Sequence, residues 1–327
     1  MTPLLGHDAQ IRAMSDALAG DRMHHGWILS GPRGVGKARF ARALATRILA
    51  DAAGPASTGA GFDVDPEHRI AKLIAAGSHP DFADIHRLVR ESDGQVARNI
   101  TVDQMRSLRR LLTMRPSLSD RRIILIDAAD DLERGAANAL LKNLEEPPEN
   151  TFFLLISHAT GRLLPTIRSR CRTLGFKPLG EGDMRAVLRA EAPDASEAEI
   201  AALLRAGKGS PGRALSFAGL NIAELETALD AIATTGDPDN ALRLALAKKL
   251  NGKAARPRYE AFLERVPAYL AAQARGREGP ALQRAIESWE AATGLVGSAV
   301  FLNLDPVTTV VSLCGMAAAL APERTAA

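Results

Sequence analysis

Residues 26–50 read GWILSGPRGVGKARFARALATRILA and give the strongest structural signal in the chain. The apolar run at 26–30 is typical of a buried strand, and a glycine-rich turn leads from it into a segment with apolar residues at helical spacing. A strand, a glycine-rich turn and a helix in this order form the context in which the pattern GxxxxGK[ST] binds phosphate. The sequence therefore predicts a phosphate loop at 31–38.

This loop keeps most of the groups that phosphate binding needs. Gly31, Gly34 and Gly36 permit backbone turns that aim N–H groups at phosphate oxygens, the helix dipole favours an anion, and Lys37 adds a positive charge. Ala38 stands where a serine or threonine hydroxyl would ligate Mg²⁺, and a methyl group cannot coordinate a metal. We expect these five residues to form a site for ATP or ADP. A glycine turn that binds no nucleotide is the alternative.

A second part of the expected ATP site, the acidic end of a later strand, also lacks a residue that hydrolysis uses. The apolar run at 121–127 ends in Asp127, the place of the carboxylate that supports the Mg²⁺ shell in P-loop proteins. Many proteins with this loop carry a water-activating glutamate next, whereas this chain has Ala128. Asp130 and Asp131 lie further along, and we expect them to complement the dipole at a helix start. The two losses together predict weak or absent ATP hydrolysis.

The order of apolar segments predicts the fold class. Further strands are expected at 81–88, 121–127, 151–157 and 171–176, with helices between them, which implies a parallel sheet covered on both faces. After residue 178 the pattern indicates helices only, about three in 179–218 and about five in 221–320. We predict an α/β domain at 1–178, a small helical domain at 179–220 and an all-α domain at 221–327.

Composition excludes several classes of protein. The chain has 327 residues, a formal charge of +3, 4% aromatic residues and two cysteines. No apolar run reaches the roughly 18–20 residues of a membrane span, and two cysteines cannot form a disulfide framework or a four-cysteine zinc site. We therefore expect a cytoplasmic protein without zinc or another structural metal; the turn-rich loop at 51–67 contains no cysteine. Arginines cluster at 106, 109, 110, 115, 121 and 122, and at 162, 168, 170 and 172.

These arginine clusters have two interpretations. A solvated basic face is one. Contact with DNA is the other, and because aromatic stacking platforms are scarce we expect such contact to involve backbone phosphates.

Seven motifs occur in an order and spacing that resemble one family. They are GPRGVGKA at 31–38, HPD at 79–81, VDQMR at 102–106, IDAADDL at 126–132, NALLKNLEEPP at 138–148, TFFLLIS at 151–157 and PTIRSRC at 165–171. Together they resemble the delta-prime subunits of the bacterial DNA polymerase III clamp loader, which belong to the AAA+ proteins. The likeness extends over about residues 5–215. It implies an AAA+ nucleotide-binding domain, a helical lid and a helical collar for the three predicted domains.

The resemblance also implies roles for particular residues. Arg170, in the Ser-Arg-Cys motif, matches the arginine that reaches a neighbouring subunit's ATP; Arg168 is its nearby competitor, and a plain ion pair is the alternative. Ser157 matches the polar sensor at a strand end, with a helix cap as the alternative. Arg213 matches the second sensor arginine, with an exposed arginine at a helix start as the alternative. We expect Cys171 to be a small buried thiol.

Three functions remain open from the sequence. The first is a non-hydrolysing or weakly hydrolysing subunit of a hetero-pentameric clamp-loader ring. It would contact the motor and delta subunits, reach the sliding clamp and primer-template DNA through the assembly, and donate Arg170 in trans. The second is an active ATPase motor subunit of the same family. The third, an unrelated P-loop kinase or transferase, is disfavoured by the missing hydroxyl and the long helical C-terminal half.

Overall fold

The computed structural model describes residues 4–20, 23–54, 61–90, 94–302 and 304–322, with every side chain except that of Val300. The chain forms two compact units, one made of Met1–Ala190 with Gly209–Arg213 and the other of Glu191–Lys208 with Ala214–Ala327. The predicted three-domain boundaries at 178 and 220 stay a prediction.

A five-stranded parallel sheet organises the first unit. Its strands are β1 (Gly26–Ser30), β2 (Phe82–His86), β3 (Arg122–Asp127), β4 (Thr151–Ser157) and β5 (Arg172–Gly175), in the order β2-β3-β4-β1-β5. Every neighbouring pair runs parallel. All five predicted strands are present, and the predicted α/β fold with a parallel sheet is confirmed. Because the strands are parallel, their carboxyl ends meet at one edge of the sheet.

Helices cover both faces of this sheet. They are α1 (Asp8–Ala19), α2 (Lys37–Ala53), α3 (Arg69–Ala75), α4 (Val102–Thr113), α5 (Arg134–Glu145) and α6 (Pro165–Ser169). A further helix, α7 (Glu181–Glu191), follows the last strand along the chain. Successive strand residues point to opposite faces, so Leu125 packs in the core beneath α2 while Ile124 and Ile126 pack in the core beneath α4 and α5. This two-sided burial explains why the strands are almost continuously apolar.

Local signals fix two of these helices where the sequence predicts them. The Thr101 hydroxyl accepts the Gln104 N–H while the Gln104 side chain accepts the Thr101 N–H, which completes a capping box at the start of α4. Helix α5 ends at Glu145, just before the Pro147-Pro148 pair, which cannot continue a helix.

The predicted surface loop at 51–67 differs from the structure in two places. Helix α2 continues to Ala53, and Phe62 is buried against Phe40, with ring centroids 5.1 Å apart. Residues 55–60 of that predicted loop lie outside the described residues. The difference arises because one aromatic side chain in a polar segment is enough to return the chain to the core.

The HPD motif at 79–81 forms a buried polar network. The Asp81 carboxylate accepts the backbone N–H groups of Ser117 and Leu118, both at 2.8 Å, and lies 4.0 Å from the Arg122 guanidinium. The His79 Nδ1 accepts the Asp81 N–H at 3.0 Å. Asp81 and Arg122 are only 1% and 2% exposed. This motif therefore fastens the loop that follows α4 to the strands of the sheet.

In the described residues of the second unit, the regular secondary structure consists of helices. It contains α8 (Glu197–Gly207), α10 (Ile222–Thr235), α11 (Ala241–Lys249), α12 (Arg256–Gln273), α13 (Gly279–Leu302) and α14 (Pro306–Ala318); the short α9 (Pro211–Leu215) joins the two units along the chain. Buried Glu226 of α10 pairs with Arg205 of α8 and Arg265 of α12. Among the described helices of the whole chain, none has the length and apolar character needed to cross a membrane.

Candidate functional site

The phosphate loop lies at the carboxyl edge of the sheet, between β1 and the first turn of α2. Asp127 ends β3 and Ser157 ends β4, so both reach the same edge. The Gly31 N–H donates to the Ser157 carbonyl at 3.2 Å. Parallel α/β sheets bind ligands outside this edge. The structure thus brings the loop, Asp127 and Ser157 together.

The loop backbone requires its glycines. Gly31 has a φ of +155°, and a Cβ placed there would lie 2.3 Å from the Phe176 carbonyl oxygen, a distance that no side chain tolerates. Gly34 and Gly36 have φ values of +80° and +107°, in the left-handed range where L-residues are strained. Gly36 is also the N-cap of α2, so the positive end of the helix dipole faces the loop. These features fit a phosphate cradle.

The Lys37 side chain is folded back onto the loop. It is 3% exposed, and its Nζ donates to the carbonyls of Gly31 at 2.5 Å and Pro32 at 2.6 Å. Burial lowers the pKa of the Lys37 ammonium to about 8, while the negative charges of Asp127 and Asp130 act to raise it. An incoming phosphate therefore meets an ammonium that already has two acceptors.

Residues 31–38 of the loop contain no hydroxyl or carboxylate side chain that could bind Mg²⁺, and Asp127 reaches the same edge from the end of β3. Ala38 presents a methyl group and belongs to the apolar surroundings of the core under α2, and Ala128 is 3% exposed. Within the described parts of the chain, no group of three or more histidine, cysteine, aspartate or glutamate side chains could hold a metal ion. The cradle fits phosphates, but the hydroxyl that P-loop proteins use for Mg²⁺ is missing.

Asp130 has a role that the sequence argument did not predict. Its carboxylate accepts the Ser157 hydroxyl at 2.8 Å and the His158 N–H, and so joins the segment after β3 to the end of β4. Asp130 also lies in the first turn of a short 3-10 helix, Ala129–Asp131, so its expected position at a helix start is confirmed, and its effect on the helix dipole stays a prediction. The helix-cap interpretation of Ser157 is wrong, because its hydroxyl bonds to Asp130 and the helical turn that follows has no side-chain cap.

The backbone of Arg213 and of the preceding Gly212 lies beside the phosphate loop. The Gly212 N–H donates to the Gly34 carbonyl at 2.8 Å, and a Cβ on Gly34 would lie 2.9 Å from the Arg213 nitrogen. The Arg213 side chain is half-buried. Its predicted contact with a γ-phosphate stays a prediction.

Two histidines at the site were not predicted from the sequence. His7 lies with its Nε2 2.8 Å from the Val35 carbonyl oxygen and packs edge-on against Phe176, with ring centroids 4.9 Å apart. His158 follows β4, and burial together with the charge of Lys37 lowers its pKa. The position of His158 after an apolar strand could have revealed it, because strand ends share the ligand edge; His7 has no comparable signal.

Arg170 lies away from this group, at the opposite edge of the sheet. It precedes β5, whose Arg172 pairs with Trp27 near the start of β1, whereas the loop follows Ser30 at the other end. Three residues of strand separate these levels by about 10 Å. The Arg170 guanidinium instead pairs with Glu145 at 2.8 Å and donates to the Thr166 carbonyl at 3.1 Å. The structure therefore does not bring Arg170 into the chain's own loop site.

Cys171 behaves as a packing residue. Burial raises the pKa of its thiol to about 12, and a Cβ on Gly26 would lie 2.9 Å from its sulfur. A thiol held in the neutral form is a poor nucleophile and a poor metal ligand.

Known proteins resemble about two thirds of this chain in sequence. The chain is 36% identical over 214 residues to a DNA polymerase III subunit delta' of Pseudomonas aeruginosa, a match covering 65% of this chain and 62% of the relative. It is 34% identical over 217 residues to a DNA polymerase III subunit gamma/tau of Mycobacterium tuberculosis, covering 65% of this chain and 35% of that relative. Both matches thus span less than two thirds of the relative.

A solved structure and a family profile complete the comparison. A DNA polymerase III gamma subunit-related protein from Thermotoga maritima superposes with a TM-score of 0.48 at 15% identity, covering 94% of this chain and 98% of the other. The profile described as "DNA polymerase III, delta subunit" matches residues 6–180, more than half of the chain. The resemblance read from the seven motifs is confirmed, and the chain belongs to this DNA polymerase III delta subunit family.

Proposed function

We propose that this chain is a clamp-loader subunit of DNA polymerase III that does not hydrolyse ATP at its own loop and donates Arg170 to the ATP site of a neighbouring subunit. One observation carries the proposal. The groups of the chain's own nucleotide edge lack a Mg²⁺-ligating hydroxyl and a water-activating glutamate, while Arg170 lies partly exposed at the far edge of the same sheet. That arrangement fits an arginine that acts outside its own subunit.

The chemistry of the donated arginine is electrostatic. A guanidinium offers forked N–H donors to phosphate oxygens and neutralises charge that develops during phosphoryl transfer. In this proposal residues 179–220 form the lid, and the collar at 221–327 holds the subunit in a hetero-pentameric ring with motor and delta subunits. The ring opens a sliding clamp and closes it on primer-template DNA. We expect this clamp-loading activity to take place in the cytoplasm.

ATP or ADP is a candidate ligand of the loop even without hydrolysis. The glycine backbone, the helix N-terminus and Lys37 support binding, whereas the missing hydroxyl opposes catalysis. Bound nucleotide would then act as a stabilising ligand, with an effect set by its concentration relative to Kd. Arg213 and Ser157 are the proposed polar contacts beside the phosphates, and Asp127 the remaining carboxylate.

Replacement of Arg170 by alanine in a reconstituted loader tests the donated arginine. Loss of such an arginine reduces turnover at the affected site by about 10³–10⁵-fold in related phosphoryl-transfer systems. In this proposal the ATP sites of the ring act in one concerted loading cycle, so one blocked site stalls the others, and we expect at least about a tenfold loss of DNA- and clamp-stimulated ATP turnover. Arg168→Ala is the matched control, two residues away and exposed. Unchanged turnover with Arg170→Ala, or an equal loss with Arg168→Ala, would refute the assignment.

A motor subunit is the competing function, favoured by Lys37, Asp127 and the likeness to a gamma/tau subunit. The isolated chain distinguishes the two. We expect no Mg-ATP turnover above that of a Lys37→Ala variant. Turnover that disappears on this substitution would establish the motor function and overturn the proposal.

A further inference from the structure

The Arg170 guanidinium is held at two of its nitrogens by its own chain. Its Nη2 lies 2.8 Å from the Glu145 Oε1, and its Nη1 donates to the Thr166 carbonyl at 3.1 Å and to the Ser169 hydroxyl at 3.4 Å. A guanidinium has five N–H donors. The Nε and part of Nη2 therefore remain for a further acceptor while the side chain stays in place.

Both residues of this ion pair lie next to buried residues that hold the backbone in place. Glu145 follows Leu144, which is 1% exposed, and Arg170 lies three residues after Ile167, also 1% exposed. A Cβ on Gly26 would lie 3.3 Å from the Arg170 carbonyl oxygen and 3.4 Å from the Leu144 side chain, so β1 packs closely against both segments. The spacing between residues 145 and 170 is thus set by the core and not by the pair itself.

Stability does not explain the pair. The Arg170 side chain is 36% exposed and that of Glu145 is 43% exposed, and ion pairs this open to water contribute little to folding. What the pair does restrict is the direction of a long side chain that would otherwise sample many rotamers.

We propose that Glu145 is a positioning residue for Arg170: its carboxylate holds the guanidinium in the orientation that receives the neighbouring subunit's phosphate. The inference rests on the proposed function of Arg170 and adds to it a second residue, on a different helix. It links the NALLKNLEEPP and PTIRSRC segments physically, since the last residue of α5 contacts the residue that follows α6.

The test uses the complete reconstituted loader, with ATP turnover measured at varied ATP in the presence of clamp and primed DNA. Glu145→Ala is expected to lower kcat by about 3- to 10-fold and to change KM by less than about twofold, because misorientation affects the transition state more than binding. Glu145→Gln keeps an acceptor oxygen at the same reach and should retain at least about half of wild-type turnover. Glu146→Ala, the exposed neighbour, should match wild type.

Comparison with Arg170→Ala separates the two proposals. If Arg170→Ala lowers turnover and Glu145→Ala leaves it unchanged or raises it, the positioning role is wrong while the donated arginine stands. If Arg170→Ala has no effect, both fail. In the double variant Glu145→Ala/Arg170→Ala, turnover no lower than in Arg170→Ala alone supports action through Arg170, and a further loss contradicts it. Should alanine at 145 disturb assembly, Glu145→Asp, which keeps the charge but shortens the reach, is expected to give the same kcat loss.

Discussion

Replacing Asp81 by alanine should destabilise the sheet unit more than any exposed acidic substitution in the same region. The change removes the acceptor of two backbone N–H groups, those of Ser117 and Leu118. It also removes the carboxylate that is paired with Arg122. That guanidinium is 2% exposed, and burial already lowers its pKa. Two part-buried backbone donors thus lose their acceptor, and a buried guanidinium donor loses its counter-charge.

The magnitude follows from those three donors. A buried N–H without an acceptor costs about 1–3 kcal/mol, and breaking a buried ion pair from one side costs about 3–5 kcal/mol. The terms overlap because the donors share one carboxylate. Arg122 also keeps its hydrogen bond to the Met114 carbonyl at 3.0 Å, and its distance of 4.0 Å from Asp81 is long. We therefore expect a loss of about 3–5 kcal/mol in total, not the full sum.

Urea unfolding followed by tryptophan fluorescence measures this loss. Trp27 lies in β1 and Trp289, 40% exposed, lies in α13, so a Trp289→Phe background makes fluorescence report on the sheet unit. Asp120→Ala is the matched control: its side chain is 71% exposed, and a change within about 0.5 kcal/mol is expected. A loss below about 1 kcal/mol for Asp81→Ala, or full additivity with Arg122→Met, would refute the reasoning.

Three other expectations concern the loop and the helical unit. Gly31→Ala should cost more than about 2 kcal/mol, because its Cβ would meet the Phe176 carbonyl at 2.3 Å, whereas Gly175→Ala, with open space around its Cβ, should stay within about 1 kcal/mol in the same urea assay. Burial lowers the Lys37 pKa from 10.5 to about 8, so the unfolded chain binds the extra proton between these values; the free energy of unfolding should rise across that pH range relative to Lys37→Met, and a flat difference would contradict the burial effect. Glu226→Ala leaves a buried arginine partner uncompensated and should cost about 3–5 kcal/mol by urea unfolding, with a cost under 1 kcal/mol ruling this out.

The sequence predicts the sheet unit well because its strongest signals are local. Each strand is an apolar run flanked by turn residues, and the capping box at Thr101 lies within four residues. The glycines of the phosphate loop are likewise demanded by their own backbone angles. Physical rules with a short range therefore suffice for these elements.

What the sequence does not predict are contacts between distant segments. Asp130 reaches Ser157 only because β3 and β4 are neighbours in the sheet, and this order is not written in any single run of residues. The contacts of His7 with Val35 and of Glu145 with Arg170 likewise join segments that are far apart in the sequence. Phe62 returns to the core from a segment whose composition indicates a surface loop.

The Asp130 contact with the end of β4 links the charges around the phosphate loop to the geometry of a neighbouring strand. Asp127 and Asp130 already act together on Lys37, and both oxygens of Asp130 accept donors from the β4 segment. A glutamate placed at Ala128 would add a third carboxylate to this small region, where like charges raise the pKa of at least one of them. The same Asp130 carboxylate thus contributes to the charge around Lys37 and holds the end of β4 in place. Charge and strand geometry at this edge are therefore coupled through one side chain.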